Sequence, residues 1–237
     1  MITIGYNSEH LKHTGIKEPV QWDFKRLPHC LIAGATGSGK TYACALILGR
    51  VGLHIEDSSI TLCDFKNDDF KHLEGSANYY GFMKCKDGID KFFAEFQERQ
   101  EGRDESRSFK LLYFDEWTSF INCLDKKEAE AYKTKLATLL MLGRSFNVHV
   151  LVSVQRADAQ NFNTARDNFN IIIALGNISK ESRNMLFSGF DKEEMPSVED
   201  IGAGYALING AELIPLQIPK VNNFDKLWDN VKSALNR

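Results

Sequence analysis

Three short stretches carry side chains whose types and spacing suit phosphate chemistry. Residues 34–41 read GATGSGKT and fit G-x-x-x-x-G-K-[ST]. Gly34, Gly37 and Gly39 permit backbone conformations that other residues resist, so consecutive N–H groups can turn inward on phosphate oxygens. The candidate cradle is the whole run Gly34, Ala35, Thr36, Gly37, Ser38, Gly39, Lys40 and Thr41. Lys40 would reach the β- and γ-phosphates, and the Thr41 hydroxyl would ligate Mg²⁺. By average residue usage the bare pattern arises by chance in about one chain in a hundred of this length, so its context must decide. That context is present: an apolar run precedes it and a helical pattern follows.

The second stretch, FKLLYFDEW (109–117), is an apolar run ending in two carboxylates. Asp115 is placed to hold the Mg²⁺ shell, and Glu116 to orient and polarise an attacking water. Acidic pairs at strand ends are common on surfaces, but downstream of a phosphate loop this pair acquires a role. Slow nucleotide switches often lack the second acid, so the pair points to a working ATPase with ATP and Mg²⁺ as cofactors. The third stretch, GRSFNVHVLVSVQR (143–156), reads as one buried strand with polar groups at both ends. The structural alternatives are that Gln155 merely caps the strand and that Arg144 is a surface helix-end arginine favoured by the dipole.

The elements that must position these groups alternate along the chain. Expected strands are 29–34, 59–65, 109–116, 147–154, 170–175 and 204–210, and expected helices are 40–51, 88–101 and 126–142. Near-continuous Val/Ile/Leu runs predict strands covered on both faces. Gly143 suits the C-terminus of the third helix. The stretch 97–108, QERQEGRDESRS, reads as a solvated loop. With no linker or repeat, the expectation is one α/β domain over 1–237, its core about 20–218, with packed flanking segments. The fold expected is a mostly parallel central sheet flanked by helices.

Composition narrows the class. A chain of 237 residues, 43% hydrophobic and 26% charged with net charge −3, is an ordinary globular protein without a wholesale basic coat. A ring or groove can still concentrate a few Lys and Arg for nucleic acid. The five cysteines show no C-x-x-C pair and read as buried free thiols of a reducing cytoplasm. No apolar run approaches a membrane span, and the start lacks a signal-peptide core. A cytoplasmic protein is expected, meeting membranes only through a partner.

The segments WDFKRLPHCLIAGATGSGKT (22–41), GRSFNVHVLVSVQR, SKESRNML (179–186) and IGAGYALI (201–208) together resemble the motor domain of the FtsK/SpoIIIE DNA translocases. Conjugative coupling proteins and the HerA pumps share that core. The resemblance implies a RecA-like P-loop fold and a hexameric ring with ATP between subunits. It implies DNA, duplex more than single-stranded, drawn through the centre. It makes Gln155 a sensor of the γ-phosphate and Arg144 an arginine finger offered to a neighbour's ATP, with Arg183 the alternative finger and Arg166 another competitor. DFKNDDFKH (64–72) resembles the family's D-P-K without its proline, which leaves Asp64 and Lys66 loosely placed; residues 156–167 are one guess for a pore loop. The family's membrane segments and winged-helix reader have no counterpart, and Ala157 stands where translocases commonly carry proline. A motor for a plasmid, phage or conjugative element is the expectation. The alternatives are a RecA-like helicase or packaging motor on single-stranded nucleic acid, and a slow nucleotide-gated assembly protein.

Overall fold

A computed structural model describes the backbone of residues 1–237 and every side chain except those of Ala159, Asn163 and Thr164. The strands are β1 (Ile2–Asn7), β2 (Pro19–Trp22), β3 (His29–Gly34), β4 (Ser59–Asp64), β5 (Tyr79–Gly81), β6 (Lys110–Asp115), β7 (Val148–Val154), β8 (Ile171–Leu175), β9 (Ala203–Ile208) and β10 (Glu212–Gln217). The helices are α1 (Ser8–Thr14), α2 (Lys40–His54), α3 (Cys85–Gln100), α4 (Trp117–Asn122), α5 (Lys126–Leu142), α6 (Lys180–Leu186) and α7 (Phe224–Leu235). All ten strands join one sheet in the order β2-β1-β10-β9-β8-β3-β7-β6-β4-β5. From β8 to β5 the pairings are parallel; from β9 to β2 they are antiparallel.

The central strands are apolar throughout because each faces two cores. Cys30 and Ile32 of β3 point into one hydrophobic cluster with α2 and α7, while Leu31 and Ala33 point into the other with α3, α4 and α5. Period-two alternation therefore disappears into continuous burial, as expected for a sheet covered on both sides. The flanking segments are part of the sheet: β1, β2 and β10 extend its antiparallel side, and α7 packs on α2. Four cysteines are buried and free, but Cys123 is exposed, at the end of α4 where the chain turns outward.

One local expectation is corrected. The stretch 97–108 is not wholly a solvated loop, because α3 runs to Gln100 and Arg99 is fully buried. Its guanidinium donates to Asp104 (2.8 Å), to the Ser108 carbonyl (2.8 Å) and to the Phe146 carbonyl (2.7 Å). That pairing satisfies a charge which could not otherwise be buried. Gly143 caps the C-terminus of α5 as expected, with right-handed backbone (φ −57°), and the left-handed residue of the following turn is Asn147 (φ 55°). Glycine is required at 143 because a Cβ would stand 2.7 Å from the Val148 carbonyl oxygen.

Beneath this turn lie two buried imidazoles. The Val150 N–H donates to His29 Nδ1 (3.1 Å), and His149 bridges the Pro28 carbonyl and the Asn147 side chain. Burial, aided by His149, pushes His29 down to about 3; burial pushes His149 down to about 4. Both are neutral when folded, while an unfolded histidine titrates near 6.5. Their contribution is thus complete above pH 6.5 and is lost as pH falls toward the folded values. Each should forfeit about 2 kcal/mol by pH 5. Denaturant unfolding of wild type and His149→Gln at pH 7 and pH 5 checks this: the variant should lose less stability on acidification.

Candidate active site

The sheet order places β3 between β8 and β7, so the loop leaving its C-terminal end lies where flanking crossovers diverge, the usual ligand crevice of an open α/β sheet. That loop is 35–39, opening α2. Gly37 (φ 82°) and Gly39 (φ 92°) adopt the left-handed region, as the cradle requires. Gly34 does not; it is glycine because a Cβ would meet the Leu175 carbonyl oxygen at 2.8 Å. The Ser38 carbonyl accepts from the Gly202 N–H (3.0 Å), which ties the loop to the segment entering β9.

The parallel register sets Asp64 of β4 opposite Asp115 of β6, at the same edge. There Lys40 Nζ lies 2.6 Å from Glu116 Oε1 and 3.9 Å from Asp115 Oδ1. Lys40 is 5% exposed, Asp115 0% and Glu116 1%. Burial acts to lower the Lys40 ammonium, but the two carboxylates outweigh it and hold it above its ordinary value. Burial pushes the Asp115 carboxyl up, against the pull of Lys40. Glu116 occupies the left-handed region at φ 60°, a cost of about 1–2 kcal/mol for a residue with a Cβ. This conformation turns the chain sharply from β6 into α4 and presents the carboxylate to Lys40.

Asp115 Oδ1 accepts from Tyr113 (2.8 Å) and from the Ser153 hydroxyl. Asp115 Oδ2 is buried with no partner among the described residues. A buried carboxylate oxygen left open at the strand edge that carries Lys40 is a donor suited to a hard, oxygen-seeking cation such as Mg²⁺. Thr41 meanwhile donates to Asp69 (3.2 Å). Tyr113 is readable from the sequence, since it lies two residues before Asp115 on β6 and hence on the same face; Ser153 lies two residues before Gln155, which follows β7.

Gln155 is exposed just beyond β7 and lines a cavity of about 330 Å³ with Ala35, Arg156, Asn177, Ser179 and Ser182. The cavity opens directly beside the phosphate loop. Arg144 lies at the other end of the same strand, exposed on the turn Gly143–Phe146. Seven strand residues separate the two ends by about 20 Å, too far for Arg144 to serve its own subunit's phosphate loop. Arg183, half-buried on α6, sits on the phosphate edge, since Ser179 at the N-terminus of α6 lines the cavity with Gln155. Arg166 pairs with Asp167 (3.2 Å) far along the 156–170 connection. Within the guessed pore loop 156–167, Asn161, Phe162 and Ala165 are buried, and the side chains of Ala159, Asn163 and Thr164 fall outside the described residues. Asp64 does not reach the phosphate site: its carboxylate accepts from the Asn67 and Phe70 N–H groups and Tyr79, fixing the loop after β4. Lys66 does reach it, 3.4 Å from Glu116 Oε1.

A profile of the FtsK/SpoIIIE family matches residues 7–176. The FtsK domain-containing protein YdcQ of Bacillus subtilis is 28% identical over 91% of the chain. The chain spans about half that relative's length, 48%. Among solved structures, the cytoplasmic domain of the Thermomonospora curvata type VII secretion ATPase EccC superposes with a TM-score of 0.71 at 19% identity, covering 98% of this chain and 30% of that one. The pCW3 conjugation coupling protein TcpA superposes with a TM-score of 0.71 at 19% identity, over 89% of this chain and 67% of that one.

The buried ion pair makes a prediction about stability. Lys40→Ala strands Glu116 with only the half-exposed Lys66, and should cost about 3–5 kcal/mol. In Lys40→Ala/Glu116→Gln only Asp115 is left without its cation, rather than two carboxylates, so urea unfolding should find the double variant more stable than the single one.

Proposed function

Because the chain belongs to the FtsK/SpoIIIE family of P-loop ATPases, we propose that it is a ring-forming motor domain that couples ATP hydrolysis to movement of duplex DNA. The observation that carries the proposal is the convergence of Lys40, Asp115 and Glu116 at one strand edge, with Gln155 beside Ala35 of the phosphate loop. Lys40 and the loop amides bind the β- and γ-phosphates. Thr41 and Asp115 would hold Mg²⁺, which would supply neutralisation of the phosphate charge. Glu116 accepts a proton from a water whose oxygen attacks the γ-phosphorus; the bond from that phosphorus to the β–γ bridging oxygen breaks, and ADP leaves. The Gln155 amide reports the γ-phosphate to the subunit.

Arg144 supports the ring. It is exposed, makes no ion pair among the described residues, and lies at the opposite end of β7 from its own phosphate loop. Its turn is braced from below by Arg99 on the Phe146 carbonyl and by the Asn147 side chain on the Arg107 carbonyl. A guanidinium displayed on so fixed a turn suits a neighbour's transferring phosphoryl group, in a cyclic head-to-tail assembly. Arg183, on the helix whose N-terminus borders its own phosphate site, suits that role less well. A hexamer in the cytoplasm, serving a mobile element's DNA, is the form proposed.

ATP turnover should rise several-fold with duplex DNA at low salt and vanish in Glu116→Gln. Turnover indifferent to DNA would overturn the translocase reading and leave an ATPase. Mixing inactive Arg144→Ala with inactive Glu116→Gln subunits should restore activity, since some interfaces then hold both groups. No recovery in confirmed mixed rings would remove Arg144 from the neighbour's site.

A further inference from the structure

Lys40 cannot serve two partners at full strength. In this structure its ammonium is committed to Glu116 at 2.6 Å, yet phosphate binding requires it to turn toward the nucleotide. Glu116 is 1% exposed, so losing Lys40 would leave a desolvated carboxylate. One other cation reaches it: Lys66 Nζ, 3.4 Å from the same Oε1 atom, with no other ionic partner among the described residues.

The placement of Lys66 follows from the fold. Asp64 and Asp115 are register partners in adjacent parallel strands. Lys66 lies two residues beyond the first and Glu116 one beyond the second, so both emerge at the same edge. The loop carrying Lys66 is anchored by the Asp64 carboxylate to the N–H groups of Asn67 (2.9 Å) and Phe70 (3.1 Å). It also touches the cradle, since Thr41 donates to Asp69. Lys66 itself is 36% exposed, which leaves its stem free to follow the carboxylate.

We propose that Lys66 is a positioning residue that takes Glu116 over from Lys40 when nucleotide binds. The exchange releases Lys40 to the phosphates while Glu116 keeps one cation, stays ionised and is held toward the attacking water. This rests on the reading of Glu116 as the water-facing carboxylate, but its thermodynamic consequence does not need turnover. Without Lys66, nucleotide binding would strip Glu116 of its last cation, so the cost appears in affinity and depends on the charge at 116.

The test is a double-mutant cycle on binding of a fluorescent, slowly hydrolysed ATP analogue with Mg²⁺. Lys66→Ala should weaken binding at least about tenfold, since it leaves a buried carboxylate unpaired. Glu116→Gln should bind as tightly as wild type or more tightly. Lys66→Ala/Glu116→Gln should return to within about threefold of Glu116→Gln, the signature of coupled sites. Lys66→Arg should restore affinity in the Glu116 background. An unchanged affinity in Lys66→Ala overturns the proposal. So does an equal loss in both backgrounds, which would make Lys66 a direct phosphate contact. Thermal melting checks that each variant folds, and Lys66→Gln replaces Lys66→Ala if it does not. Wild-type turnover measured alongside separates the two claims: coupling without hydrolysis would refute the ATPase reading and leave the exchange standing.

Discussion

The site depends on one buried charge cluster. Lys40, Asp115 and Glu116 are all nearly inaccessible to water, and Lys40 joins the other two. Burying two carboxylates side by side is tolerable only because a cation sits between them and hydroxyls from Tyr113 and Ser153 satisfy one oxygen. The strand order that brings β3, β6 and β7 together therefore also decides whether this charge is paired. The open Asp115 oxygen and the left-handed backbone of Glu116 mark where stability has been set aside for chemistry.

The same sheet organises the rest by its two edges. At the C-terminal ends of the parallel strands lie the phosphate loop, the acidic pair and Gln155. At the N-terminal end of β7 lies Arg144, on a turn held by Arg99 and underlain by the buried histidines. One strand of seven residues thus joins the edge beside Gln155 to the edge proposed to meet a neighbour. Rigid packing on both faces of β7 means the two ends cannot shift independently. In the proposed ring, that would let one subunit's nucleotide state be felt next door.

Much of this was legible from residue order. The phosphate loop, the acidic pair and the central strands follow from local patterns, and β3 and α5 begin and end where their apolar runs and capping residues place them. The antiparallel strands β1, β2 and β10 were not legible, because their burial comes from pairing with one another at the sheet's side rather than from internal period. Arg99 looked solvated because its neighbours are charged; its burial depends on carbonyls 9 and 47 residues away in sequence. Lys66 was only loosely placed, since its relation to Glu116 exists through strand register and not through spacing in the chain.

The central claim is that the Lys40–Glu116 contact is the resting form of a hydrolytic site which nucleotide opens. A crystal structure with Mg²⁺ and a non-hydrolysable ATP analogue tests it most directly. The account predicts Lys40 on phosphate oxygens, Asp115 turned to the metal shell, and Glu116 released from Lys40, close to Lys66 and within about 2.6–3.2 Å of a water in line with the γ-phosphorus. Nucleotide bound in the cradle with Lys40 still paired to Glu116 would contradict it.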